Sequence, residues 1–186
     1  MGKIIFFLLI LLSSLITLIS PQQVKAETAG TSAVLMSSFD TQQQDNDKRI
    51  QVLRAYLEKR NSPLAPYANV FVNEADKNNL DWRLVASISG LESSFGIHIP
   101  TYSYNGWGFG VYGDNVLRFS SWEEGIATVS KALRDNYIDK WGATNVYEIG
   151  RIYAASPTWA ARVTYFMNNI EAFEQDQQRT TLALSL

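Results

Sequence analysis

The sequence predicts a mostly α fold: a single helical domain with one small irregular lobe of strand or turn character. Three observations carry that prediction. Apolar residues recur at helical spacing through most of residues 48–174. Helix-start signals stand ahead of several of those runs. The one stretch without a helical period, residues 97–119, is dense in glycine and aromatic residues. A chain of 186 residues, 46% apolar and 18% charged, suffices for one core-bearing domain with extensions.

Residues 1–26 are expected to be a secretory signal peptide. Lys3 gives a positive start, Ile4 to Ile19 is apolar apart from Ser13, Ser14 and Thr17, and Pro21 ends the run. Val24-Lys25-Ala26 then has the small-x-small form of a cleavage site before Glu27. An uncleaved membrane anchor is the alternative, but sixteen helical residues reach only ~24 Å against a hydrocarbon core of ~30 Å. The expectation is a secreted or wall-located protein. Residues 27–47 are polar and small and read as a flexible spacer, and residues 175–186 as a disordered tail.

Within residues 48–174 the helices follow in order. Ile50, Leu53 and Leu57 form one apolar stripe, and a second helix over 65–78 turns Val70, Phe71 and Ala75 inward. Asp81 is the expected N-cap of a third helix whose apolar positions are Leu84, Val85, Ile88 and Leu91. Ser121 with Glu124 makes a capping box before Ile126, Val129 and Leu133, and Asn145 with Glu148 repeats the spacing before Ile149 and Ile152. Ser156 and Pro157 open the last helix, with Trp159, Val163, Phe166, Ile170 and Phe173 on one face.

Composition removes several chemistries. There is no Cys, so thiol catalysis, disulfides and thiolate metal sites are excluded. A single His, His98, rules out a multi-His metal site and reads as a loop surface residue. A net charge of -2, with no basic stripe, argues against a nucleic-acid partner. No cofactor and no metal are expected, and the expected state is a monomer.

The pattern breaks at Glu92. It follows Ile88 by four residues and Val85 by seven, so it falls on their apolar face, in the last turn where the helix dipole is negative. Both settings disfavour a charged carboxylate. A carboxyl that keeps its proton is what a general acid needs. A frayed end with Glu92 pointing into water is the competing reading.

The residues around it carry a resemblance. Ile88-Ser89-Gly90-Leu91-Glu92-Ser93-Ser94-Phe95-Gly96 resembles the helix end bearing the catalytic Glu in lysozyme-like peptidoglycan-cleaving enzymes. Tyr104-Asn105-Gly106-Trp107-Gly108 is similar to the Asn-x-Phe-Gly segment of the bacterial glucosaminidase (endo-beta-N-acetylglucosaminidase-like) family. Phe119-Ser120-Ser121-Trp122-Glu123-Glu124-Gly125-Ile126 resembles that family's next helix start, and Tyr153-Ala154-Ala155-Ser156-Pro157-Thr158-Trp159-Ala160 its Tyr-Ala-Thr-Asp-Pro-x-Tyr-Ala segment. Four segments in register span about residues 66–171. The resemblance implies a lysozyme-like helical domain acting on peptidoglycan glycan strands. It implies Glu92 and Tyr153 as catalytic residues, and Ser93, Tyr104, Asn105, Trp107 and Asp114 as substrate-binding ones.

The departures narrow the chemistry. The Gly-Leu-Met-Gln signature of the commonest lytic transglycosylases is absent, and so is the longer lobe in which glucosaminidases carry a second carboxylate. Asp114 is the sole acid between Gly108 and Phe119, and in Gly113-Asp114-Asn115 it reads as a turn residue before it reads as a second carboxylate. Two-carboxylate hydrolysis needs a partner at a defined separation, so one Glu acting as general acid is the expected mechanism. Transglycosylation to 1,6-anhydro ends stays open beside hydrolysis. Tyr102, Tyr104, Trp107, Phe109 and Tyr112 form either a sugar-stacking platform or the lobe's own small core. A non-catalytic wall-binding module and a partner-binding scaffold are the other functional classes.

Overall fold

The computed structural model describes residues 43–110 and 115–185. The expected signal peptide, most of the expected spacer, and Tyr112 and Asp114 lie outside them.

The first helix, α1 (residues 43–58), buries Val52, Leu53, Tyr56 and Leu57. It starts within the expected spacer, because residues 43–47 join the helix. Gln43 donates to Asp47 one turn on, and Arg49 clamps both carboxylate oxygens of Asp76 at 2.7 Å on the next helix. A 3₁₀ turn, Ala65–Tyr67, leads into α2 (Ala68–Lys77), which buries Phe71, Val72 and Ala75 and leaves Val70 half-buried.

The third helix, α3 (Leu84–Ser93), lies at the centre and packs on α2, α4 and α6. It is not the one-faced helix that its apolar spacing predicts. Leu84 through Gly90 are all buried, because Ala86, Ser87, Ser89 and Gly90 are small enough to let neighbouring elements approach every side. Asp81 does not cap it directly. Its carboxylate accepts the Arg83 amide at 2.9 Å, forming a turn just ahead of the helix, and its carbonyl accepts the Leu84 amide.

Two capping predictions hold at atomic detail. Ser121 Oγ accepts the Glu124 amide ahead of α4 (Trp122–Ala132), and Asn145 Oδ1 accepts the Glu148 amide ahead of α5 (Val146–Tyr153). Between these helices α4 widens into a π-helical segment, Leu133–Lys140, which no sequence signal predicts. The last helix, α6, runs from Trp159 to Leu184. Its N-cap is Thr158 rather than Ser156, whose carbonyl accepts the Trp159 amide. The residues read as a disordered tail are helical to Leu184: no Gly or Pro interrupts 175–184, and one-turn contacts such as Gln178 to Glu174 support the exposed extension.

The expected lobe is irregular, and among its described residues no strand forms. It is pinned to the helices by Trp107, fully buried against Phe71, Phe119 and Trp122, with its indole N–H donating to Val85 O at 3.0 Å. Gly125 makes the room, since a Cβ there would stand 2.6 Å from the Trp107 ring.

Candidate active site

The site begins at the end of α3. Ser94, Phe95 and Gly96 take φ of 53°, 59° and 82°, so three successive residues are left-handed, two of them not glycine. Such a run persists only where surroundings over-determine it. Here the amides of Ser94 and Phe95 both return to Ser89 O, Ser93 Oγ accepts the Gly96 amide, and Ser62 donates to Phe95 O at 2.7 Å. The Phe95 ring closes over Gly90 and meets Tyr56 and Phe166 edge-on. The chain thus turns away sharply one residue after Ser93 and leaves Glu92 at the lip.

Glu92 is exposed, which corrects the expectation that it shares the buried face of Val85 and Ile88. In the final turn its side chain leaves that face for an open position between two elements. Its Oε1 accepts a hydrogen bond of 2.7 Å from the indole N–H of Trp159, the first residue of α6. Its Oε2 looks toward Gly108, where a Cβ would stand 3.3 Å from that oxygen. Gly108 is exposed with φ +60°, so conformation and space both favour glycine.

Tyr153 stands behind this pair. Its ring stacks on Trp159 at 4.7 Å between centroids, and its hydroxyl donates to Trp107 O at 2.8 Å. Burial pushes that hydroxyl's pKa well above the ordinary tyrosine range, helped by the charge of Glu92 and by Tyr137, so it stays a neutral donor. Tyr153 therefore joins the end of α5, the start of α6 and the 105–109 loop, and reaches Glu92 through Trp159.

The remaining candidates separate. Ser93, expected to bind substrate, faces inward: its hydroxyl donates to Ser89 O or Gly106 O and accepts from Gly96, bracing the helix end. Asn105 is also buried, with every polar function of its amide used, as its Nδ2 donates to Phe109 O and Leu117 O while its Oδ1 accepts from the Trp107 and Phe109 amides. Trp107 is core, so the sugar-platform reading fails for it. These three build the loop, and none of their side chains faces an open surface. Tyr104 is 39% exposed, edge-on to Trp122 at the start of α4. His98 is exposed on its loop, as expected. Asp114 is outside the described residues.

Sequence reasoning missed the partner of Glu92. Trp159 reads as a core position of α6, and at 3% exposure it is one, but a buried indole still needs an acceptor for its N–H. That requirement was the available signal. A surface cleft of about 710 Å³ opens beside the same junction, lined by Tyr147, Gly150, Arg151, Ala154, Pro157 and Ala160 among others, without Glu92. No family model and no curated protein matches this chain.

Proposed function

We propose that the protein is an exported enzyme cleaving peptidoglycan glycan strands, with Glu92 as its single general acid. The observation that carries the reading is the divided environment of the Glu92 carboxyl. Oε1 is engaged by the Trp159 N–H at 2.7 Å, whereas Oε2 faces the exposed Gly108. Because Oε1 is occupied as an acceptor, Oε2 is the oxygen from which a proton carried by Glu92 would be delivered. From there it passes to the glycosidic oxygen of a strand lying over Gly108. The C–O bond breaks and the leaving sugar keeps the proton as its new hydroxyl. The anomeric carbon bonds to water in hydrolysis or to its own sugar's 6-hydroxyl in transglycosylation. The proton that nucleophile loses returns to the Glu92 carboxylate, which the Trp159 N–H stabilises in the interim. Tyr153 and Trp107 hold Trp159 and Gly108 in place, a positioning role. The four sequence segments in register supply the substrate class.

The test is Glu92→Gln, which keeps the size and the Oε1 acceptor but has no proton to give. Wall cleavage, followed by zymography on purified peptidoglycan, should fall ~10²–10⁴-fold with the fold unchanged. A folded Gln variant that clears walls at the wild-type rate refutes the assignment. Mass spectrometry of the wild-type products separates hydrolysis, which leaves reducing ends, from transglycosylation, which leaves 1,6-anhydro ends.

A further inference from the structure

Three ring contacts lead outward from the site. Tyr153 stacks on Trp159 at 4.7 Å, Tyr137 lies 5.6 Å from Tyr153, and Trp141 stands edge-on to Tyr137 at 5.1 Å. Burial falls along the way: Trp159 is 3% exposed, and Trp141, at 49%, is the one exposed tryptophan of the five. Both outer rings are delivered by the π-helical segment. Tyr137 belongs to it, and Trp141 ends it with its amide on Asn136 O, the five-residue spacing of a π turn. Such segments cost regular hydrogen bonding and occur frequently at functional sites.

A charge stands at the same end. The Lys140 ammonium lies 5.9 Å from the Trp141 ring, at the outer limit of a cation–π contact. The neighbouring carboxylate, Asp139, is taken by Arg134 at 3.3 Å, and among the described residues no carboxylate pairs with Lys140. An exposed indole beside an ammonium that no carboxylate of the described residues pairs suits a ligand with an apolar C–H face and a carboxylate.

We infer that Trp141 and Lys140 form an outer subsite for a carboxylate-bearing aminosugar, its ring stacked on the indole and its carboxylate paired with the ammonium. The inference rests on the proposed function and deepens it. In a peptide-free strand alternating N-acetylglucosamine with its lactyl ether, only the lactyl sugar carries a free carboxylate. The subsite therefore fixes the register in which such a strand lies over Glu92, and it separates peptide-free wall glycan from uncharged chitin.

The test uses the full chain carrying Glu92→Gln, titrated calorimetrically with two probes: chitotetraose, and the tetrasaccharide alternating N-acetylglucosamine with N-acetylmuramic acid. Trp141→Ala should weaken both by about tenfold, as expected for loss of a stacked aromatic, and Trp141→Phe should restore part of it. Lys140→Gln should weaken only the acidic probe, by about threefold, and that difference should vanish at about 0.5 M salt. Unchanged affinity in Trp141→Ala overturns the subsite, and so does a Lys140→Gln variant that treats both probes alike. If neither probe binds the Glu92→Gln chain, the proposed function falls with it. If the wild type cleaves walls while both substitutions are silent, only the subsite falls.

Discussion

Replacing Trp159 with Phe removes one hydrogen bond and keeps most of a ring. The indole N–H reaches Glu92 Oε1 at 2.7 Å, and a hydrogen bond to a charged group is worth about 1.5–3 kcal/mol. Glu92 is exposed, so water recovers part of that and the lower figure applies. About 1.4 kcal/mol is a factor of ten in rate. Trp159→Phe should then lower kcat by about tenfold with KM little changed, because the indole touches the acid and not the sugar. Trp159 is buried, so the smaller ring also leaves a cavity costing about 1–2 kcal/mol of stability. Turbidity clearing of wall suspensions reads the first effect, and thermal denaturation followed by near-ultraviolet dichroism reads the second. A folded Trp159→Phe protein with the wild-type kcat would refute the claim that this bond assists proton transfer.

Four further outcomes follow from the same geometry. Gly90→Ala should destabilise by about 1–3 kcal/mol in thermal melts, because the added methyl would stand 2.6 Å from the Phe95 ring. Tyr153→Phe strands the buried Trp107 carbonyl and should cost about 1–2 kcal/mol. In the wild type its hydroxyl should keep its proton in alkaline spectrophotometric titrations above pH ~10, the raised folded value contributing stability that is full below that pH and lost as pH climbs through the folded value. Burial works to raise the pKa of Asp81, but the Arg83 guanidinium and amide hold it below the usual carboxylate range. Its contribution is therefore full above pH ~4 and lost as acid titrates the folded carboxyl, so Asp81→Asn should flatten the acid limb of the stability curve.

The helices were legible because their signals are local. Ser121 and Asn145 cap by bonding an amide three residues on, a contact written within four residues of sequence. The same locality explains the failures. Whether Asn105 meets a ligand or four backbone groups depends on where Phe109 and Leu117 come to lie, which no spacing encodes. Trp107 and Gly125 fit each other across eighteen positions, ring against missing side chain, so neither one alone marks a core contact. The π-helical segment arises where α4 meets its neighbours and has no composition of its own. For Glu92 the pattern placed a carboxylate at the end of α3, yet its surroundings differ from the expectation, because the core that covers Leu84 to Gly90 on every side ends before it: Leu91 is half-buried and Glu92 exposed. Trp159 hid behind its own hydrophobicity.

Asn105 has a consequence for motion. One amide group binds Phe109 O, Leu117 O and the amides of Trp107 and Phe109, and the loop it ties also sinks a fully buried indole among α2, α3 and α4. Lifting Gly108 away from Glu92 therefore requires breaking the knot and withdrawing Trp107 from the core together. The amides of Trp107 and Phe109, held by the Asn105 side chain, should exchange as slowly as those of the central helix and open only in global unfolding. The floor beneath Glu92 is then rigid short of global unfolding, and any ligand entering there has to fit the site as it stands.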